Sequence, residues 1–90
     1  MRLDKFLKVS RIIKRRTIAK SVSELGLIKI NGKIAKPSSI IHLGDQLELN
    51  LGDRILIVKV KNINITANKQ SASEMFEIIE DRVIDTPFNS

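Results

Sequence analysis

Arg2, Lys5, Lys8, Arg11, Lys14, Arg15, Arg16 and Lys20 recur every one to four residues at the start of this chain, and Asp4 is the single carboxylate among them. Lys29, Lys33 and Lys36 extend the series, so eleven of the sixteen Lys and Arg fall in the first forty residues, opposed there only by Asp4 and Glu24. That half carries +9 and the remainder −3, an asymmetry hidden inside a net charge of +6. Residues of this type at this density pair with phosphate, Arg through a directional fork of N–H donors and Lys as a point charge, so a polyanionic partner is expected. The run Lys14-Arg15-Arg16 falls where a second helix should begin, and the amides at a helix start also favour phosphate. Cations at an already positive helix end cost roughly a few tenths of a kcal/mol each, so an anion is expected to offset them.

Asp4 sits amid Arg2, Lys5 and Lys8, where it either pairs with and orients a basic neighbour or complements the helix dipole. Lys29, Lys33 and Lys36 either extend the cationic surface or protect an exposed edge strand. The other carboxylates are scattered over turns and a late segment, with no phosphate loop and no nucleophile elbow. His42 lies beside a Gly-Asp turn without a neighbouring nucleophile and reads as a turn residue. We therefore expect no catalytic residue, no metal site, no cofactor and no enzymatic activity. With zero Cys, disulfides and thiolate metal sites are excluded. Only three aromatics occur, Phe6, Phe76 and Phe88, the first two at apolar positions of expected helices. A chain this poor in stacking platforms should read folded RNA by shape and phosphate instead of reading bases in a single strand.

The elements that position these residues can be read from periodicity. Leu3, Phe6, Leu7 and Ser10 have helical spacing; a second helix starts near Arg15 to Thr17, carries Ile18, Val22 and Leu25 with Ala19 alongside, and ends at Gly26. The period then switches to two over Leu27–Ile30 and Lys33–Lys36 about Asn31-Gly32, the strongest short hairpin signal because both central residues of a type I′ turn need positive φ. A turn at His42–Asp45 leads into a strand from Gln46 to Leu51, Gly52-Asp53 turns again, and Ile55–Val60 pairs back as a second hairpin. Met75, Phe76, Ile78 and Ile79 among Glu74, Glu77 and Glu80 predict a final amphipathic helix, which either packs across the sheet or serves as an interaction surface. The order is ααββββα. Ninety residues bury roughly two thirds of their unfolded surface, enough for one small domain without a large catalytic cleft. No run of about eighteen apolar residues and no signal segment is present. A soluble, cytoplasmic monomer is expected, with weak patterning around 64–73 and 85–90.

Arg2-Leu3-Asp4-Lys5-Phe6-Leu7, Arg16-Thr17-Ile18-Ala19, Gly26-Leu27-Ile28-Lys29-Ile30-Asn31-Gly32, Lys36 and Gly44-Asp45 together resemble the S4-type RNA-binding domain. That family opens on an RLDxxL pattern, places an Arg three residues before an Ala in its second helix, ends a strand in Asn-Gly and has a later Gly-Asp turn. The resemblance covers residues 2–51. It implies an α+β, S4-type alpha-L RNA-binding fold with two short N-terminal helices on a small antiparallel sheet. We divide the chain into an RNA-binding domain over 1–62, a linker and C-terminal helix packed on the same domain over 63–84, and a tail over 85–90.

Many members attach this module to a modifying enzyme or a tRNA synthetase, for which this chain has no room. Two free-standing branches are ribosome-linked: a heat-shock type that binds dissociated large subunits, and a quality-control type to which residues 2–20 are very similar. The heat-shock branch carries a longer basic C-terminal extension, whereas here the acidic residues Glu74, Glu77, Glu80 and Asp81 stand near the end. The resemblance thus implies binding to 23S rRNA of the large ribosomal subunit and to P-site peptidyl-tRNA, in support of an RqcH-type tailing factor that adds alanines to stalled chains. It implies Arg2 and Arg16 as RNA contacts, Asp4 and Arg11 in support, and Lys5, Lys14, Arg15 and Lys20 in the surrounding field. The competing readings are a heat-shock-type recycling factor, a DNA-binding helix-turn-helix and a protein-interaction module; an Asn-Gly hairpin directly after the two helices suits the RNA family better than the second.

Overall fold

A computed structural model describes residues 1–63 and 72–84. Two helices, α1 (Leu3–Val9) and α2 (Arg16–Glu24), precede strands β1 (Ile28–Ile30), β2 (Lys33–Ile34), β3 (Gln46–Asn50), β4 (Arg54–Val60) and β5 (Phe76–Val83). The strands form one sheet in the order β2-β1-β3-β4-β5, each neighbouring pair antiparallel. Leu47 opposes Val58, and Leu49 stands between Ile28 and Leu56, so alternate residues of three strands bury one apolar face. Leu3, Phe6, Leu7 and Ala19 from the helices complete the core, every one of them fully buried. Phe76, expected inside, is half-buried against this cluster.

Both helix ends use the left-handed conformation, with different residues. Gly26 (φ 74) follows α2; its N–H donates to Ser23 O at 3.1 Å and that of Leu27 to Val22 O at 3.2 Å, the paired bonds of a Schellman cap. After α1 the corresponding position is Arg11 (φ 63), whose N–H donates to Lys8 O at 3.0 Å. The hairpin turn is as its residues demand, with Asn31 at φ 51 and Gly32 at φ 86.

Two expectations are corrected. On α2, Ala19 is buried and Val22 packs against the core as expected, but Ile18 and Leu25 are 48% and 72% exposed and Ser23 is buried in their stead. Small side chains let this helix approach its neighbours closely, and the Ser23 hydroxyl donates to Ala19 O at 2.7 Å, so burying it leaves no polar group unpaired. The larger correction concerns the C-terminal segment, which is not a helix: a single 3₁₀ turn, Ala72–Met75, leads into β5. Its pattern looked helical because Ile78 and Ile79 are adjacent, but the register with β4 shifts there: Val58 faces Ile78, Ile57 faces Glu80, and Ile79 is the extra residue of a bulge. The open edge of β4 and the β-branched side chains of Ile78, Ile79 and Val83 favour pairing over helix. Its acids pair as well, Asp81 with Arg54 at 3.5 Å and Glu77 with Lys61 at 3.2 Å. Most of the stretch expected to be weakly patterned, and the tail over 85–90 with Phe88, lie outside the described residues.

Candidate nucleic-acid interface

The chain's first residues are held in place by the loop after β2. Leu3 N–H donates to Ser39 O at 2.8 Å, Asp4 N–H to Pro37 O at 3.2 Å and Ile41 N–H to Met1 O at 2.9 Å, so Arg2 enters α1 as its extended N-cap residue (φ −70, ψ 149). Two residues on, Asp4 turns inward and is 2% exposed. Its carboxylate accepts from Arg2 Nε at 3.2 Å and Nη2 at 3.3 Å and from the Lys5 backbone N–H at 2.8 Å. Arg16, the first residue of α2, brings Nη2 to 3.8 Å from the same carboxylate. One buried carboxylate thereby ties the starts of both helices together and holds two guanidinium groups, each about half exposed. Arg2 spends two of its five N–H donors on Asp4 and keeps the rest for a ligand.

Asp4 combines the two arrangements left open for it: it lies in the first turn of α1, accepting a backbone N–H there, and it pairs with Arg2 and Arg16. It also supplies, from within the chain, part of the anion expected at the start of α2, which has no acidic residue in its first turn and no side-chain cap. One carboxylate cannot neutralise the whole cluster. Among the described residues Lys5, Lys8, Arg11, Lys14, Arg15, Lys33 and Lys36 have no ion-pair partner, and all but the half-buried Lys5 are exposed.

The sequence-selected residues thus fall into two groups. Arg2, Asp4 and Arg16 are drawn into direct contact. Lys5 follows Asp4 in the first turn of α1, Arg11 occupies the strained turn between the helices, and Lys14 and Arg15 lead into α2, where the Arg15 carbonyl accepts from Ile18 and Ala19 N–H. Lys20 lies a turn further along α2, 4.0 Å from Glu24. Lys29 is already engaged with Glu48 across the β1–β3 pair at 3.7 Å and belongs to the sheet.

A second set of contacts was invisible in the sequence. The Asn31 side chain donates from Nδ2 to Asp45 Oδ1 at 3.0 Å and accepts from Gln46 N–H at 2.9 Å, while Asp45 Oδ2 accepts from His42 N–H at 2.8 Å. The Asn-Gly and Gly-Asp turns, read separately as two local motifs, form one interlocked corner that fixes the hairpin relative to β3. His42 takes the turn role expected of it. Among the described residues no cluster of His, Asp or Glu is placed to hold a metal, and no helix is long and apolar enough to cross a membrane.

Two short helices on an antiparallel sheet, with a cationic face organised by one buried acid, define a module suited to structured RNA. The sequence profile of the S4 domain matches residues 1–47, and the chain belongs to the S4 domain family. Over 85 residues, 94% of this chain and 97% of the relative, it is 48% identical to the RQC P-site tRNA stabilizing factor of Streptococcus pneumoniae. It is 37% identical over 83 residues, 90% of this chain and 59% of the relative, to heat shock protein 15 of Escherichia coli. Among solved structures, that of trimeric heat shock protein 15 from Vibrio cholerae superposes with a TM-score of 0.80 at 29% identity, covering 87% of this chain and 80% of the other.

Proposed function

We propose that this protein is a non-enzymatic, ribosome-associated RNA-binding factor of the cytoplasm that holds P-site peptidyl-tRNA on the split large subunit while an RqcH-type factor extends the stalled chain with alanines. The observation that carries the reading is the Arg2–Asp4–Arg16 constellation on a face where most other cations are unpaired, in a chain 48% identical to a factor named for stabilising P-site tRNA. Phosphates of 23S rRNA and of the tRNA are the ligands such a face fits: they are read by charge and shape, without aromatic stacking. The action is a shift of populations. By binding one tRNA position more tightly than others, the protein prolongs its occupancy between elongation steps, which requires no chemistry of its own.

The test measures alanine tails on a stalled reporter. Deletion of the gene should shorten the tails without preventing subunit splitting, and wild type but not Arg16→Ala should restore them. Unchanged tails in the deletion strain would reject this reading. They would favour a second one, rescue of large subunits carrying peptidyl-tRNA without a tailing partner, for which the likeness to heat shock protein 15 is the supporting observation.

A further inference from the structure

Beside the cationic face, between the C-terminal half of α2, β2 and the turn after it, lies an open groove of about 490 Å³ whose lining includes Arg2, Lys20, Glu24, Ile34, Lys36 and Pro37. Its volume lies in the range of small-ligand pockets, about 300–1,000 Å³. Ile34, a large aliphatic residue on a short strand, is 68% exposed at this groove, with Gly26 beside its side chain. Phosphate reading accounts for the cations Arg2, Lys20 and Lys36 of this lining but not for its aliphatic wall. A duplex presents its phosphates on a convex surface that cannot enter a notch, an aliphatic wall offers phosphate nothing, and the Glu24 carboxylate, 4.0 Å from Lys20, offsets one of the cations there. A nucleotide fits the whole lining, with a base against the Ile34 and Pro37 wall, an acceptor at Glu24 for an amino edge, and a flanking phosphate near the unpaired Lys36. Arg2 lines the same groove with a guanidinium held by Asp4, and a planar cation so fixed can stack on a base.

We propose that this groove takes up one unpaired nucleotide splayed out of a folded RNA, so that the protein distinguishes a bulge or loop from a continuous duplex. The inference rests on the RNA-binding reading above and adds a requirement that charge alone does not impose. It is tested with two labelled RNA hairpins of equal length and charge, one fully paired and one carrying a single unpaired nucleotide, titrated by fluorescence anisotropy against the full chain at low salt. The unpaired hairpin should bind about ten-fold more tightly. Ile34→Ser should erase most of that preference, with a thermal melt verifying the fold. Independently of any variant, 4-thiouridine at the unpaired position should crosslink to the peptide containing residues 33–38. Equal affinity of wild type for the two hairpins would overturn the proposal and leave the phosphate-reading surface standing, as would a preference retained in Ile34→Ser together with a crosslink elsewhere. Failure to bind either hairpin would bring down the RNA reading and the groove with it.

Discussion

Asp4 is buried with a negative charge, a placement that is costly unless the charge is paired and hydrogen-bonded, and here three partners meet it. Replacing it with Asn removes one negative charge, raising the net charge by one, yet also removes the anchor of two arginines. Asp4→Asn should therefore bind large subunits more weakly than wild type, and should lose on the order of 1.5–3 kcal/mol of stability, because the bonds it breaks are charge-assisted. Co-sedimentation and thermal melts measure the two effects; tighter binding by the variant would remove Asp4 from its positioning role. Arg11 presents the opposite balance. A residue with a Cβ in the left-handed region stores roughly 1–2 kcal/mol of strain, at a position where helices elsewhere end in Gly. Arg11→Gly should raise the melting temperature and weaken RNA binding at once. A variant that gains stability without losing affinity would show that the strained guanidinium does not touch RNA.

Elements whose cause is local were legible from the chain. The positive φ demanded by Asn31-Gly32, the cap at Gly26 and the alternating leucines of β3 each appear in the structure within a residue or two of where their chemistry places them. Elements with a distant cause were not. Nothing near Ile78-Ile79 announces that β4 offers a free edge, and a bulge disguises the strand period as a helical one. The buried face of α2 was legible only in part: Ala19 and Val22 turn to the core as their spacing places them, whereas Ile18 and Leu25 are exposed and close packing buries Ser23. At the candidate site the cationic residues were visible as types, and Asp4 as an orienting acid among alternatives, but its reach across to Arg16 needed the two helix starts to be brought together. The Asn31–Asp45 corner spans fourteen residues and was equally hidden. Asn31→Ala should lose both side-chain bonds and the residue's tolerance of positive φ, destabilising the domain by about 2 kcal/mol, or a fall in melting temperature near 10 °C for a domain of this size. A shift under 2 °C would mean that the corner contributes little to holding the hairpin.

At the scale of the molecule, the acidic and basic groups of the described residues are sorted by partner. Lys29 with Glu48, Arg54 with Asp81, Lys61 with Glu77 and Arg82 with Glu80 satisfy one another on the sheet, where such exposed pairs contribute about 0–1 kcal/mol each. The helices and the hairpin keep most of their cations unpaired. Binding should accordingly be dominated by counterion release: with about five phosphates engaged, log K should fall by roughly four per decade of salt, and titration of large subunits at several salt concentrations measures the slope. A flat dependence would exclude a phosphate-reading surface. The same sorting of charge has a kinetic consequence. A molecule that pairs its acids along one side and leaves its cations bare on another carries a permanent dipole, and in the field of a ribosomal subunit it rotates before it touches, arriving helices first. Fewer collisions are wasted on the wrong face, so the association rate should approach the electrostatically steered regime and collapse as salt shortens the range over which that turning begins.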